Sequence, residues 1–347
     1  MFDCRELKQR AKVSLSRTPC DPKRLVLIHV GASTVASLLL TTITYFLQVK
    51  IETTGGLSGI GLRSVLSTAL AVLRLFYIAL LPFWQIGYLS VSLSVARCEP
   101  ADKETLYTGF YRFWSVLRLY FFQTVILGAL FLGSNYVSSF LYMLTPWGKS
   151  LSEQLMVVME QSGEAISPDV LLEIFSGHAA PLLILGGLIL LSLAIPVFYR
   201  IRLCRYRVMD DQPRSIRAIF ESVRLTKGNW RSLVKLDLSF WWFYVIQIAI
   251  AAVAYADVLL ELAGYPLPWH PAVRFFVPYL CSLLLQFIFL LWQKNPVAVT
   301  YAHAYEAMRQ AKEDKPESAA KPNQAPPPKS VSKKHPWEDT YQRSSNQ

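Results

Sequence analysis

Six long apolar runs, each near the length needed to cross a bilayer, constrain this chain more than anything else in it. Hydrocarbon about 30 Å thick takes roughly 20 helical residues to span. Backbone at that depth must satisfy its own hydrogen bonds, which a helix does within one segment. The 347 residues hold such runs at about 25–48, 66–96, 117–145, 180–200, 234–256 and 273–293. The expected fold class is therefore an all-α integral membrane protein with six transmembrane helices. Only 17% of the residues are charged, against about 25% in a soluble domain. The 9 Trp, 17 Tyr and 19 Phe suit the two membrane–water interfaces.

The placement of basic residues sets the expected orientation. Segments 1–24, 97–118, 200–235 and 293–347 carry 7, 4, 10 and 9 Lys/Arg. The connections on the other side carry only Lys50, Arg63 and Lys149, leaving Arg74 and Arg274 within or beside spans. Cationic loops stay in the cytoplasm, so both termini are expected there, in a multi-pass plasma-membrane protein. The net charge of +11 is spread over four loops on one face. That matches an anionic inner leaflet rather than a nucleic acid.

Three stretches on that face share a grammar, each a capped amphipathic segment leading to an odd-numbered span. The first opens Asp3-Cys-Arg-Glu6, with capping-box spacing. The second runs 102–114, with apolar residues at 106, 110, 113 and 117. The third runs 213–228, between Pro213 and Gly228, with Ile216, Ile219, Phe220 and Val223 on one face. An apolar stripe with basic borders is expected to lie in the membrane interface. The expected architecture is thus three tandem units, each an interfacial helix followed by a helical hairpin. Residues 1–311 form the transmembrane domain and 312–347, rich in Pro, Lys and Ser, a disordered cytoplasmic tail. The outside loop 146–179 holds Glu153, Glu160, Glu164, Asp169 and Glu173 and is expected to form two short amphipathic helices. The glycine-rich 55–61 lacks the lysine of a phosphate loop and reads as an external turn.

The stretch Ser215-Ile-Arg-Ala-Ile-Phe-Glu-Ser-Val-Arg-Leu-Thr-Lys-Gly-Asn-Trp230, continuing to Leu238-Ser-Phe-Trp-Trp-Phe243, resembles a bacterial integral membrane family known only as domain of unknown function 975. Arg5-Glu-Leu-Lys-Gln-Arg-Ala-Lys12 is similar to that family's opening. Ala96-Arg-Cys-Glu99 with Leu106-Tyr-Thr-Gly-Phe110 is similar to its central loop. The resemblance covers about residues 1–310 and implies a bacterial membrane protein. It implies no activity.

Candidate sites are few. Arg74 interrupts the second span, where a charge is costly. It reads foremost as an anchor that snorkels to the outer interface, or as part of a ligand pathway paired with Asp257 or Glu261. Asp237 reads as an acid in the first turn of the fifth span, favoured by the helix dipole; a proton relay is the alternative. Arg214, Arg217, Arg224 and Lys227 read first as ordinary inside charge. The sharper reading is a surface for anionic lipid or an acidic membrane-protein partner. The five histidines and five cysteines show no metal spacing, and no catalytic motif is present, so neither enzyme nor cofactor is expected. The leading function is a non-enzymatic organiser of membrane partners or lipids; the alternative is a carrier or channel for a small or lipidic substrate.

Overall fold

The computed structural model describes residues 3–53, 59–162, 168–210, 215–265 and 268–313. Most of the glycine-rich turn, Glu164, Pro213, Arg214 and the tail beyond 313 lie outside them. Within Met1–Gln310 the described chain is helical throughout, with no strand among the described residues.

The elements follow from local signals. Helix α1 (Cys4–Arg17) starts where Asp3 Oδ1 accepts from the Arg5 amide at 3.0 Å. Glu6 does not complete a capping box; it pairs with Arg10 at 2.6 Å. Helix α2 (Pro22–Thr53) opens with proline at its first position, which needs no amide donor there. The Asp21 carboxylate accepts from the amides of Lys23 and Arg24. Helix α3 (Gly59–Ala96) returns antiparallel. A 3₁₀ turn (Lys103–Tyr107) and the short α4 (Thr108–Tyr111) lead into α5 (Phe113–Met143). Helix α6 (Pro146–Ser162) folds back on the end of α5, and α7 (Pro168–Ile201) returns beside α5. The connection 146–179 therefore forms one separate helix, not two, because its second half is continuous with the fourth span. Helices α8 (Cys204–Asp210), α9 (Ser215–Thr226) and α10 (Trp230–Leu238) follow. Then come α11 (Trp241–Ala254), α12 (Ala256–Leu262) and α13 (Pro271–Glu313).

Among the described residues, five helices are long and apolar enough to cross a membrane, and six if α10 and α11 count as one bent span. This is an all-α, multi-pass membrane architecture. The fifth span is broken: α10 and α11 meet at 58°, with Ser239 and Phe240 between them. The 14 residues of α11 cover only about 21 Å at 1.5 Å each. The sixth helix overshoots instead. Its 43 residues run about 65 Å, some 20 residues beyond the expected end.

Packing divides the bundle into a base and a far end. The base gathers α1, the 3₁₀ turn, α4, α8, α9 and α10 with the adjoining ends of the long helices. All three buried clusters lie there, built around Leu203, Leu233 and Tyr305, around Val26, Tyr88 and Leu106, and around Ile86, Leu119 and Cys204. Two glycines let backbones touch: a Cβ on Gly87 would meet the Leu106 carbonyl oxygen at 1.8 Å, and one on Gly109 the Phe83 oxygen at 2.0 Å. The base helices bury Leu7 and Ala11 of α1, Leu106 of the 3₁₀ turn, and Ala218 and Ile219 of α9 against the ends of the spans, while Ile216 and Phe220 of α9 stay exposed. A bundle end offers a dry apolar partner that the interface lacks.

Candidate functional site

Two carboxylates organise the base. Asp210, at the end of α8, accepts from Arg97 Nη2 at 2.8 Å, Arg309 Nη1 at 2.5 Å and Tyr305 OH at 2.9 Å. Arg97 also reaches Glu306 with Nε at 2.9 Å and Nη2 at 2.5 Å. Burial pulls the Arg97 guanidinium down, but the two carboxylates more than offset this and its net shift is upward. Asp237 is the second centre. It accepts from Arg202 Nη1 at 2.5 Å, from the hydroxyls of Tyr199 and Tyr301, and from Tyr244 OH at 3.3 Å. It stands in the last turn of α10, not the first turn of a span, because the helix breaks two residues later. An acid there opposes the helix dipole; Arg202 and three tyrosines supply what the dipole withholds. Each carboxylate ties distant segments together, α3, α8 and α13 at Asp210 and α7, α10, α11 and α13 at Asp237.

Between these centres lies a cleft of about 510 Å³, within the range of small-ligand sites. Five helices line it with His29, Gln85, Tyr88, Arg202, Arg205, Tyr244 and Lys294, among others. Lys294 Nζ lies 4.7 Å from the Tyr88 ring centroid, and the Arg205 guanidinium 5.0 Å from that of Tyr120. Arg202 is matched by Asp237. Among the described residues, no carboxylate pairs with Lys294 or Arg205 and none lines the cleft. His29 is 2% exposed, stacked on Trp84 at 5.2 Å and tilted against Tyr88 at 4.6 Å. Its Nδ1 is buried with no hydrogen-bond partner. Hydrogen bonds hold the rest of this wall: Tyr88 OH donates to Asn295 Oδ1 at 2.6 Å, and Asn295 Nδ2 to the Pro22 carbonyl at 2.8 Å.

A buried polar group without a partner costs free energy, and an uncompensated charge costs more. The cleft therefore carries two surplus cations and an orphaned imidazole nitrogen around a space large enough for a ligand. An anion entering it gains charge-assisted hydrogen bonds from groups that now have none. No cluster of metal-binding side chains occurs among the described residues.

The residues singled out in the sequence lie elsewhere. Arg217 is largely exposed and pairs with Glu221 at 2.9 Å. Glu221 also takes Arg207 at 2.7 Å. Burial alone raises the Glu221 carboxyl, and the two arginines outweigh it to leave a net lowering. Arg224 and Lys227 are exposed, and Arg214 is outside the described residues. Arg74 is exposed on α3. The proposed pairing fails at Glu261, which binds Arg274 at 2.7 Å instead. Asp257 is half-buried, and among the described residues no ion pair joins it to Arg74.

Lys294, Arg202, Arg205 and His29 went unrecognised in the sequence. The first three were counted as loop charge, although Lys294 stands in α13 and Arg205 in α8, with Arg202 in the turn between α7 and α8. The missed signal lies after Lys294: Val297, Tyr301, Ala304, Tyr305 and Met308 repeat at helical spacing. That pattern places Lys294 inside a buried helix. No family model matches the chain, and no curated protein or solved structure matches it either.

Proposed function

We propose that this protein binds an anionic substrate in the cleft at its base and works as a carrier for it, without catalysis. The observation behind this reading is Lys294, held beside Arg202, Arg205 and His29 with no carboxylate opposite it among the described residues. Placement inside the bundle, between five helices, favours a carried ligand over a surface partner. The broken fifth span adds to it, since discontinuous helices accompany substrate sites in transporters. The organiser reading, through Arg217, Arg224 and Lys227, is second, supported by the exposure of all three.

In this reading the base faces the cytoplasm of a bacterial plasma membrane, next to an anionic leaflet. The Lys/Arg asymmetry supports that orientation, and the likeness of 215–243 to the uncharacterised bacterial family supports the source. Exposed Cys98, at the base, is then shielded from an impermeant maleimide in intact cells and labelled after permeabilisation.

The test is calorimetric titration of the protein in neutral nanodiscs with inorganic phosphate, citrate and dihexanoyl phosphatidic acid. At least one is expected to bind saturably. Lys294→Met is expected to weaken it about a hundredfold, from the 2–5 kcal/mol typical when one partner of a buried charge pair is removed. Binding of none of the three, or full affinity in Lys294→Met, rejects the proposal.

A further inference from the structure

A second binding feature lies on the flank of the base, away from the cleft. Helix α9 turns Ser215, Ala218, Ile219, Ser222, Leu225 and Thr226 inward. Ser222 Oγ donates to the Arg200 carbonyl at 2.7 Å, Ser215 Oγ to the Ser115 carbonyl at 2.8 Å, and Ala218 and Thr226 are fully buried. Two of its bulky side chains are left out: Phe220 is 70% exposed and Ile216 48%. Beside Phe220 runs an apolar groove of about 880 Å³ against α5, walled by Trp114, Leu117 and Phe121. A second, of about 420 Å³, runs against α5 and α7 and shares Phe122, Ile216 and Phe220 with the first. One groove is edged by Arg118 and Arg217, the other by Arg200. Arg217 already has Glu221. Arg118 and Arg200 are exposed, and among the described residues neither has a carboxylate partner.

We infer that this paired groove holds one anionic diacyl phospholipid of the leaflet on the base side. One chain lies on each side of Phe220, and the phosphodiester sits between Arg118 and Arg200. Two apolar channels that share a wall match two chains joined at one head. Cations at their edges match a negative head group, and Trp114, 66% exposed, has the position expected of an aromatic at the membrane interface. A neutral lipid fits the channels equally well, so the arginines carry the selectivity. Juxtamembrane basic residues contribute about 1 kcal/mol each toward anionic lipid, or about fivefold per arginine.

The inference is tested by fluorescence quenching in vesicles of phosphatidylcholine and phosphatidylglycerol, with bromine on the chains of one lipid at a time. The Trp114 signal is the difference between the wild-type protein and Trp114→Phe. Brominated phosphatidylglycerol is expected to quench it at several-fold lower mole fraction than brominated phosphatidylcholine. Arg118→Gln with Arg200→Gln is expected to remove that preference while leaving quenching by phosphatidylcholine in place. Phospholipid retained by the wild-type protein through detergent extraction, counted by mass spectrometry, is expected to be enriched in phosphatidylglycerol. Equal quenching by the two lipids means ordinary boundary lipid and overturns the inference. An unquenched Trp114 means the face is covered by protein, a second copy or another partner, and overturns it too.

Discussion

The base and the far end of this bundle obey different rules although the same helices run through both. At the base, α3 and the following turn approach until glycine is required at 87 and 109, and Leu203, Leu233 and Leu236 are 0–1% exposed. At the far end the same spans show Leu75, Phe131, Leu183 and Ile248 at 54–71% exposure. Gly128 and Gly133 of α5 have nothing within 4 Å of an added Cβ. Lipid is as apolar as leucine, so packing those side chains on one another gains little. Most of the short base helices lie outside the apolar spans, and there burial has more of its hydrophobic value. The buried clusters and the charged cleft are thus concentrated in one end, while the other is more open except where α6 meets α5, with Tyr142 1% exposed and a Cβ on Gly148 reaching the Tyr142 carbonyl oxygen at 2.1 Å.

That contrast can be broken or sharpened by substitution. Asp210→Ala leaves Arg97 and Arg309 facing each other in the base. The expected loss is about 3–5 kcal/mol, the usual effect of removing one partner from a buried ion pair. It is read as a collapse of the melting temperature in detergent. Gly87→Ala forces α3 away from the Leu106 carbonyl and is expected to lose about 1–3 kcal/mol, as for other overpacked sites. Gly133→Ala at the far end is expected to stay within about 0.5 kcal/mol of the parent. Equal losses for the two would erase the distinction between the ends.

A smaller effect follows pH. The Glu221 carboxyl is lowered from its ordinary 4.5 in the folded protein, so the tie between α8 and α9 is fully present above that value. It is lost as the pH falls through the lowered one. Glu221→Gln is expected to flatten this acid limb of the melting curve, and an unchanged limb would assign it to other carboxylates. A gain rather than a loss is expected at Cys98, whose φ of 57° lies in the left-handed region just past the end of α3. Cys98→Gly is expected to stabilise by about 1 kcal/mol, since that conformation costs a side-chain-bearing residue about that much. A loss on this substitution would mean that the thiol makes a needed contact.

The spans were legible because apolar length is a property of composition along the chain. The repeated order of base helix and hairpin was legible from amphipathic spacing. What the base helices pack against was not, since a stripe such as Leu7 and Ala11 looks the same whether it meets lipid or protein. The broken fifth span was hidden because Leu236 to Phe243 is apolar on both sides of the break; only Asp237 marked it, and an acid near a span end has a simpler explanation. The cleft was hidden for a related reason. Lys294, Arg202 and Arg205 come from two segments 89 to 92 positions apart in sequence, and each alone passes for loop charge. That Asp237 matches Arg202, while no carboxylate among the described residues pairs with Lys294 or Arg205, is a three-dimensional fact.

The stability of Lys294→Met, measured with and without the anion that binds the wild-type protein, tests the central claim most directly. If Lys294 is a cation waiting for a ligand, the variant melts higher than the parent when empty and gains nothing from the anion, because function and stability conflict at that position. If the variant melts lower when empty and is stabilised by the anion as the parent is, Lys294 is a structural residue and the cleft is not the binding site.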